Sequence, residues 1–125
     1  MKELLIDKWS LIAMKASLDA GNAIMGHYNT SYTIEYKDDN SPLTTADKHA
    51  HQCIQDYLVT TGLPILSEEG KNIPFRERKD WKLFWMVDPL DGTKEFISGN
   101  GEFTVNIALI ENNYPVMGVV YVPVT

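Results

Sequence analysis

The chain has a single cysteine in 125 residues, Cys53, so no disulfide can close within it. That cysteine lies in a helical stretch and is expected to serve as a small core residue. No apolar run reaches the length of a membrane-crossing helix, and the first residues carry Lys2, Glu3, Asp7 and Lys8, which is not the pattern of a signal peptide. Together these absences point to a soluble protein of a reducing compartment. Positive charge is also scarce: 11 Lys and Arg stand against 17 Asp and Glu, a formal net charge of −6. The one basic stretch, Arg76 to Lys82, also holds Glu77 and Asp80 and reads as a solvated connector, which argues against nucleic acid or an anionic bilayer as partner. There is no glycine-rich nucleotide loop, no Ser-His-Asp arrangement, no internal repeat and no low-complexity tract. The three histidines, His27, His49 and His51, do not form a ligand set, because the last two point to different faces of a helix.

With 44% hydrophobic and 22% charged residues, the chain has the composition of one ordinary globular domain with a real core. Apolar spacing predicts helix over 3–28, either one bent helix or two, since Gly21 weakens the middle. A short strand is expected at Tyr32–Tyr36 and a turn-rich loop at 37–42. Thr44 or Thr45 then caps a second helix that ends near Gly62. Strands are expected at Leu63–Leu66, Leu83–Val87, Phe103–Ile110 and Val116–Val122, the last two joined at Asn112-Asn113 as a hairpin. This order implies an α/β (α+β) layered fold, a mixed and largely antiparallel sheet flanked by helices. The chain stops just after a strand, and that unsealed sheet edge predicts self-association or poor solubility.

The densest chemistry lies in WMVDPLDGTKEFI, residues 85–97. Pro89 favours an extended Asp88 at the strand's last position, and a turn over Asp88-Pro89-Leu90-Asp91 would bring its end Cα atoms within about 7 Å. Two carboxylates and the Leu90 carbonyl would then converge as hard oxygen ligands of the kind Mg²⁺ takes. Gly92 and Thr93 open a short helix at Lys94–Ile97 whose free amides suit a phosphate. Glu68 and Glu69 also follow a strand, so at least one of them can reach the same sheet edge, although adjacent glutamates there are otherwise ordinary loop residues. Asp47, three residues after Thr44, has the spacing of a capping box, and Thr93 can likewise be a helix cap. An Asp-Gly hairpin is the plain alternative for Asp88 and Asp91, but Pro89 opposes a two-residue turn. Phosphatases with an aspartyl nucleophile separate their two aspartates by one residue, whereas this chain has two between them; that chemistry, with Asp88 as the nucleophile, stays as a lesser alternative.

DPLDGT at 88–93, SEEG at 67–70 and SPLTTAD at 41–47 together resemble the inositol monophosphatase superfamily of Mg²⁺-dependent, lithium-sensitive phosphatases. The continuation KEFISGNGEFTVNIALIENNYPVMGVVYVP is similar to its 3′(2′),5′-bisphosphate nucleotidase branch. The resemblance implies that Glu68, Asp88, the Leu90 carbonyl and Asp91 bind Mg²⁺, two or three ions in the complete enzyme. It also implies that Glu68 and Leu90 through Thr93 hold the substrate, and that Asp47 and Thr93 activate the attacking water. Lys37 falls at a family position near the site and receives no role.

The implied reaction removes the 3′-phosphate of adenosine 3′,5′-bisphosphate, with 3′-phosphoadenylyl sulfate as a second substrate, in sulfate assimilation. The implied location is cytoplasmic, free or peripheral at the inner membrane. An inositol or sugar monophosphatase of the same superfamily, or a non-catalytic metal-binding module, are the competing readings. Residues 1–125 match only the N-terminal metal- and phosphate-binding domain. Family members continue with a second part that supplies a further aspartate ligand beside a tryptophan, so the chain alone is expected to bind Mg²⁺ weakly and turn over little substrate.

Overall fold

The computed structural model describes residues 2–28, 33–37, 39, 42–70 and 73–124. Two long helices lie on one face of a sheet. Helix α1 (Lys2–His27) is continuous, so of the two expected forms the single helix holds. Gly21 is tolerated inside it because the position is filled from outside: an added Cβ would stand 2.4 Å from the Tyr121 ring. Glycine therefore sets how closely the last strand approaches the helix. Alanines at 13, 16 and 20 with Ile24 form the buried stripe of α1, and Ala46, Ala50, Ile54 and Leu58 form that of α2 (Thr45–Leu58). Small residues on both stripes let the helices approach closely. A 3₁₀ turn (Val59–Thr61) follows α2 and ends at Gly62, whose φ of 75° is the left-handed form that glycine adopts without strain.

The main sheet has four strands in the order β3 (Ile65–Ser67), β4 (Leu83–Asp91), β5 (Thr104–Glu111) and β6 (Tyr114–Tyr121). The β3–β4 pair is parallel and the other two are antiparallel, which matches the mixed, largely antiparallel sheet expected. Trp85, Val87, Val105, Ile107 and Leu109 point from β4 and β5 into the helices and make the centre of the core. Asn112 and Asn113 have φ of 50° and 70°, the left-handed pair of a tight hairpin turn, as the Asn-Asn step predicts.

Several local expectations are corrected. Residues Pro42–Thr44, assigned in part to a loop, form strand β2, which pairs antiparallel with β1 (Ile34–Tyr36) in a separate two-stranded sheet. Proline is tolerated there because a two-stranded ribbon has only edge strands. Tyr32, placed at the start of that strand, lies outside the described residues. The connector before β4 contains a short helical turn, α3 (Phe75–Arg78), and the helix after Gly92 is α4 (Thr93–Ser98). Among the described residues, no helix is long and apolar enough to cross a membrane.

Candidate active site

The start of α2 is fixed by a reciprocal cap. Thr44 is the N-cap, and its hydroxyl accepts the Asp47 N–H at 3.3 Å. Asp47 Oδ2 in return accepts the Thr44 N–H at 2.8 Å and the Thr44 hydroxyl at 2.5 Å. This closes the capping box that the spacing predicts. The other oxygen, Oδ1, faces away and accepts the Thr93 hydroxyl at 2.9 Å, from a residue 46 positions along the chain. Asp47 is fully buried, so its carboxylate depends on these three donors. The structural and functional readings of Asp47 are thus served by different oxygens of one carboxylate. The Thr93 hydroxyl also lies 3.3 Å from the Leu90 carbonyl, a second acceptor for its one hydrogen.

Asp88 and Asp91 share a face of the sheet, although not by the turn expected. Strand β4 runs on through Pro89 to Asp91. Asp88 pairs with Asn106 and Asp91 with Thr104, so two residues of β4 oppose the single Val105 of β5. This is a β-bulge, and it resets the alternation of side chains. Burial along β4 follows: Pro89 and Leu90 are buried in succession, while Asp88 is half-exposed and Asp91 exposed. Because Asn106 and Thr104 are two apart on one strand, their partners Asp88 and Asp91 lie on the same face. Gly92 follows with φ of 96°, and an added Cβ would meet the Glu102 carbonyl oxygen at 2.9 Å. Only glycine fits the step from bulge to helix α4.

Strand β3 delivers the glutamates. Its parallel register puts Ser67 beside Val87, and the Glu68 N–H donates to the Val87 carbonyl at 3.0 Å, one residue before Asp88. Lys37 then reaches in, with Nζ 2.8 Å from Glu69 Oε1, and the Glu69 side chain is only 5% exposed. Burial works against the Lys37 ammonium, yet Glu69, with Asp47 and Glu68 behind it, holds its pKa above the ordinary lysine value. Burial first, then the negative charges of Asp91, Glu68 and Glu69, push the Asp88 carboxyl up to about 6, against a hydrogen bond from the Leu90 backbone that favours the ionised form. Three carboxylates therefore act on Asp88 across this corner.

A cleft of about 250 Å³ is lined by Lys37, Glu68, Asp88, Leu90, Asp91 and Thr93, among others. Gly92 is also in its wall, while Asp47 stands behind Thr93 and is not. Each residue that the resemblance implies for metal, substrate or catalysis thus lines the cleft or, for Asp47, is bonded to one that does. Tighter convergence is not present: among the described residues, no three acidic, histidine or cysteine side chains stand together as a set that could hold a metal ion. Like charges oppose such a cluster, and Lys37 draws Glu69 to one side. In donor type and charge the group fits Mg²⁺: hard oxygens only, and an Asp88 carboxylate whose ionised form its neighbours disfavour and a divalent cation would favour.

Lys37, which sequence reasoning left without a role, stands in the cleft wall paired to Glu69. No local pattern marks it, because its partner is 32 residues away.

The chain matches the model of the inositol monophosphatase family over residues 6–125. It is 54% identical over 110 residues to the 3′(2′),5′-bisphosphate nucleotidase CysQ of Salmonella typhimurium, covering 85% of this chain and 44% of that protein. The crystal structure of CysQ from Bacteroides thetaiotaomicron, described as a bacterial member of the same family, superimposes with a TM-score of 0.81 at 52% identity, over 94% of this chain and 43% of the other. An inositol monophosphatase from Anabaena (Nostoc) gives a TM-score of 0.73 at 29% identity, over 94% and 41%. The chain therefore spans less than half the length of the relatives it matches.

Proposed function

The chain belongs to the inositol monophosphatase family, and on that premise we propose that it forms the metal- and phosphate-binding part of a Mg²⁺-dependent 3′(2′),5′-bisphosphate nucleotidase. The substrate on this reading is adenosine 3′,5′-bisphosphate, cleaved to AMP and phosphate, with 3′-phosphoadenylyl sulfate as a second substrate and sulfate assimilation as the setting. The observation that carries the reading is the bond from the Thr93 hydroxyl to Asp47 Oδ1, at the rim of a cleft walled by Glu68, Asp88 and Asp91.

Glu68, Asp88, the Leu90 carbonyl and Asp91 would hold Mg²⁺. When bound, the metal supplies positive charge that polarises the phosphoester and favours ionisation of water. The protein's own groups orient and move the proton. With its hydrogen given to Asp47, Thr93 Oγ1 retains lone pairs for the O–H of an incoming water. As water oxygen bonds to phosphorus, its proton passes to Thr93 Oγ1 and the threonine proton passes to Asp47 Oδ1. The bond from phosphorus to the 3′ oxygen breaks, and that oxygen leaves with the electron pair and takes a proton from solvent. Backbone N–H groups at Gly92 and Thr93 would steady the phosphoryl oxygens during the transfer.

The test measures phosphate release by this chain combined with the C-terminal part of a CysQ relative, in Mg²⁺. Preference for adenosine 3′,5′-bisphosphate over inositol 1-phosphate by more than about tenfold in kcat/KM is expected. The reverse preference would transfer the chain to the inositol monophosphatase reading, and hydrolysis of neither would remove the phosphatase reading altogether.

A further inference from the structure

We propose that His51 is a positioning residue: through Ser67 it fixes the turn that carries Glu68 and Glu69. The consequence for metal binding rests on the reading given above, while the positioning itself does not.

The turn hangs on Ser67. Its carbonyl accepts the Gly70 N–H at 3.2 Å, and its hydroxyl oxygen accepts the Glu69 N–H at 3.3 Å. Such a serine turn is weak when the hydroxyl can rotate among its staggered positions. Here it cannot rotate freely, because His51 Nδ1 lies 2.9 Å from Ser67 Oγ. Burial lowers the His51 pKa and favours the neutral ring. With the proton on Nε2, Nδ1 accepts the Ser67 hydroxyl hydrogen and leaves the serine oxygen to the Glu69 amide.

Packing points the same way. A Cβ at Gly70 would stand 3.2 Å from His51 Cε1, so the ring rests against the end of the turn and glycine makes room for it. His51 also lies four residues after Asp47, one helical turn along α2 and on the same face. A single rigid helix therefore holds both walls of the cleft: Asp47 bonds to Thr93, and His51 bonds to Ser67. Lys37 secures the far end of the turn through Glu69. Loss of His51 would leave that ion pair, the Glu68 amide bond and the Ser67–Gly70 backbone bond in place but free the Ser67 hydroxyl to rotate away from the Glu69 amide, and the position of the glutamates relative to Asp88 would loosen.

Three variants of the full chain test this: His51→Leu, Ser67→Ala and His51→Asn, the last placing an amide where Nδ1 stood. Amide exchange of Glu69 without metal is the readout for positioning, and a calorimetric Mg²⁺ titration is the readout for its consequence. His51→Leu and Ser67→Ala should each speed Glu69 exchange and weaken Mg²⁺ binding by about tenfold, the size of effect seen for supporting residues at metal sites. His51→Asn should keep both within about twofold of the unmodified chain, a rescue that a merely space-filling histidine would not need. Unchanged Glu69 exchange in folded His51→Leu would overturn the proposal. If Glu69 exchange responds as expected but the unmodified chain binds no Mg²⁺, the positioning stands and the metal reading falls.

Discussion

Replacing Asp88 by asparagine should make the metal-free protein more stable and at the same time abolish its stabilisation by Mg²⁺. In the native chain, burial and three neighbouring carboxylates raise Asp88 from the ordinary 3.8 to about 6. A carboxyl whose pKa is higher folded than unfolded contributes stability that is fully present below pH 3.8 and lost as pH rises through about 6. At about 1.4 kcal/mol per pH unit the loss at pH 8 would be about 3 kcal/mol, and solvent screening of a half-exposed side chain reduces this to about 1–2 kcal/mol. Asparagine keeps the shape and can still accept the Leu90 N–H, but carries no charge. At pH 8 and low salt, Asp88→Asn should therefore melt about 4–8 °C above the unmodified chain, with the gap closing towards pH 4. Saturating Mg²⁺ should reverse the order, since ligand at about a hundred times its Kd stabilises the native chain by about 2.7 kcal/mol and does little for the variant. Differential scanning calorimetry at both pH values, with and without Mg²⁺, decides the matter. A metal-free Asp88→Asn that melts lower than the native chain at pH 8 would refute the electrostatic reasoning.

Three further outcomes are expected. Thr93→Val removes the donor to Asp47 Oδ1 and should cut phosphate release about 10²-fold or more in the complemented enzyme, with little change in KM, measured by steady-state kinetics. Gly92→Ala forces a Cβ to within 2.9 Å of a backbone oxygen at a φ of 96° and should cost about 2–3 kcal/mol in urea unfolding; a loss under about 0.5 kcal/mol would contradict the strained bulge-to-helix step. Thr44→Ala opens the capping box and takes one donor from buried Asp47, for a loss of about 1–2 kcal/mol in the same assay.

Much of the site was legible because its signals are local. The Thr44–Asp47 spacing predicts a capping box, and the structure contains it. Gly62, Asn112 and Asn113 mark chain reversals through their own backbone preferences, and each does so. The sheet's mixed character followed from the order of elements. Asp88-Pro89-Leu90-Asp91 was misread in form: proline at the second of four residues suggests a turn, whereas pairing with β5 keeps the strand extended and absorbs the extra residue as a bulge. The side chains still share a face, because a bulge and a turn both break the alternation of a strand. Strand β2 was missed because proline argues against strands unless only one edge is paired. The contacts of Lys37 with Glu69 and of His51 with Ser67 span 32 and 16 residues and leave no periodic trace. Such long-range polar pairs appear only when helices and strands are packed.

Everything rests on the proposal that Glu68, Asp88 and Asp91, which line one cleft, act as a single divalent-cation site. A Mg²⁺ titration followed by carboxyl ¹³C resonances of the full chain tests it most directly. The account predicts that these three carboxyl signals shift together along one saturating curve, while the exposed Asp56 and Glu35 signals stay still. Independent or absent responses at Glu68, Asp88 and Asp91 would contradict it.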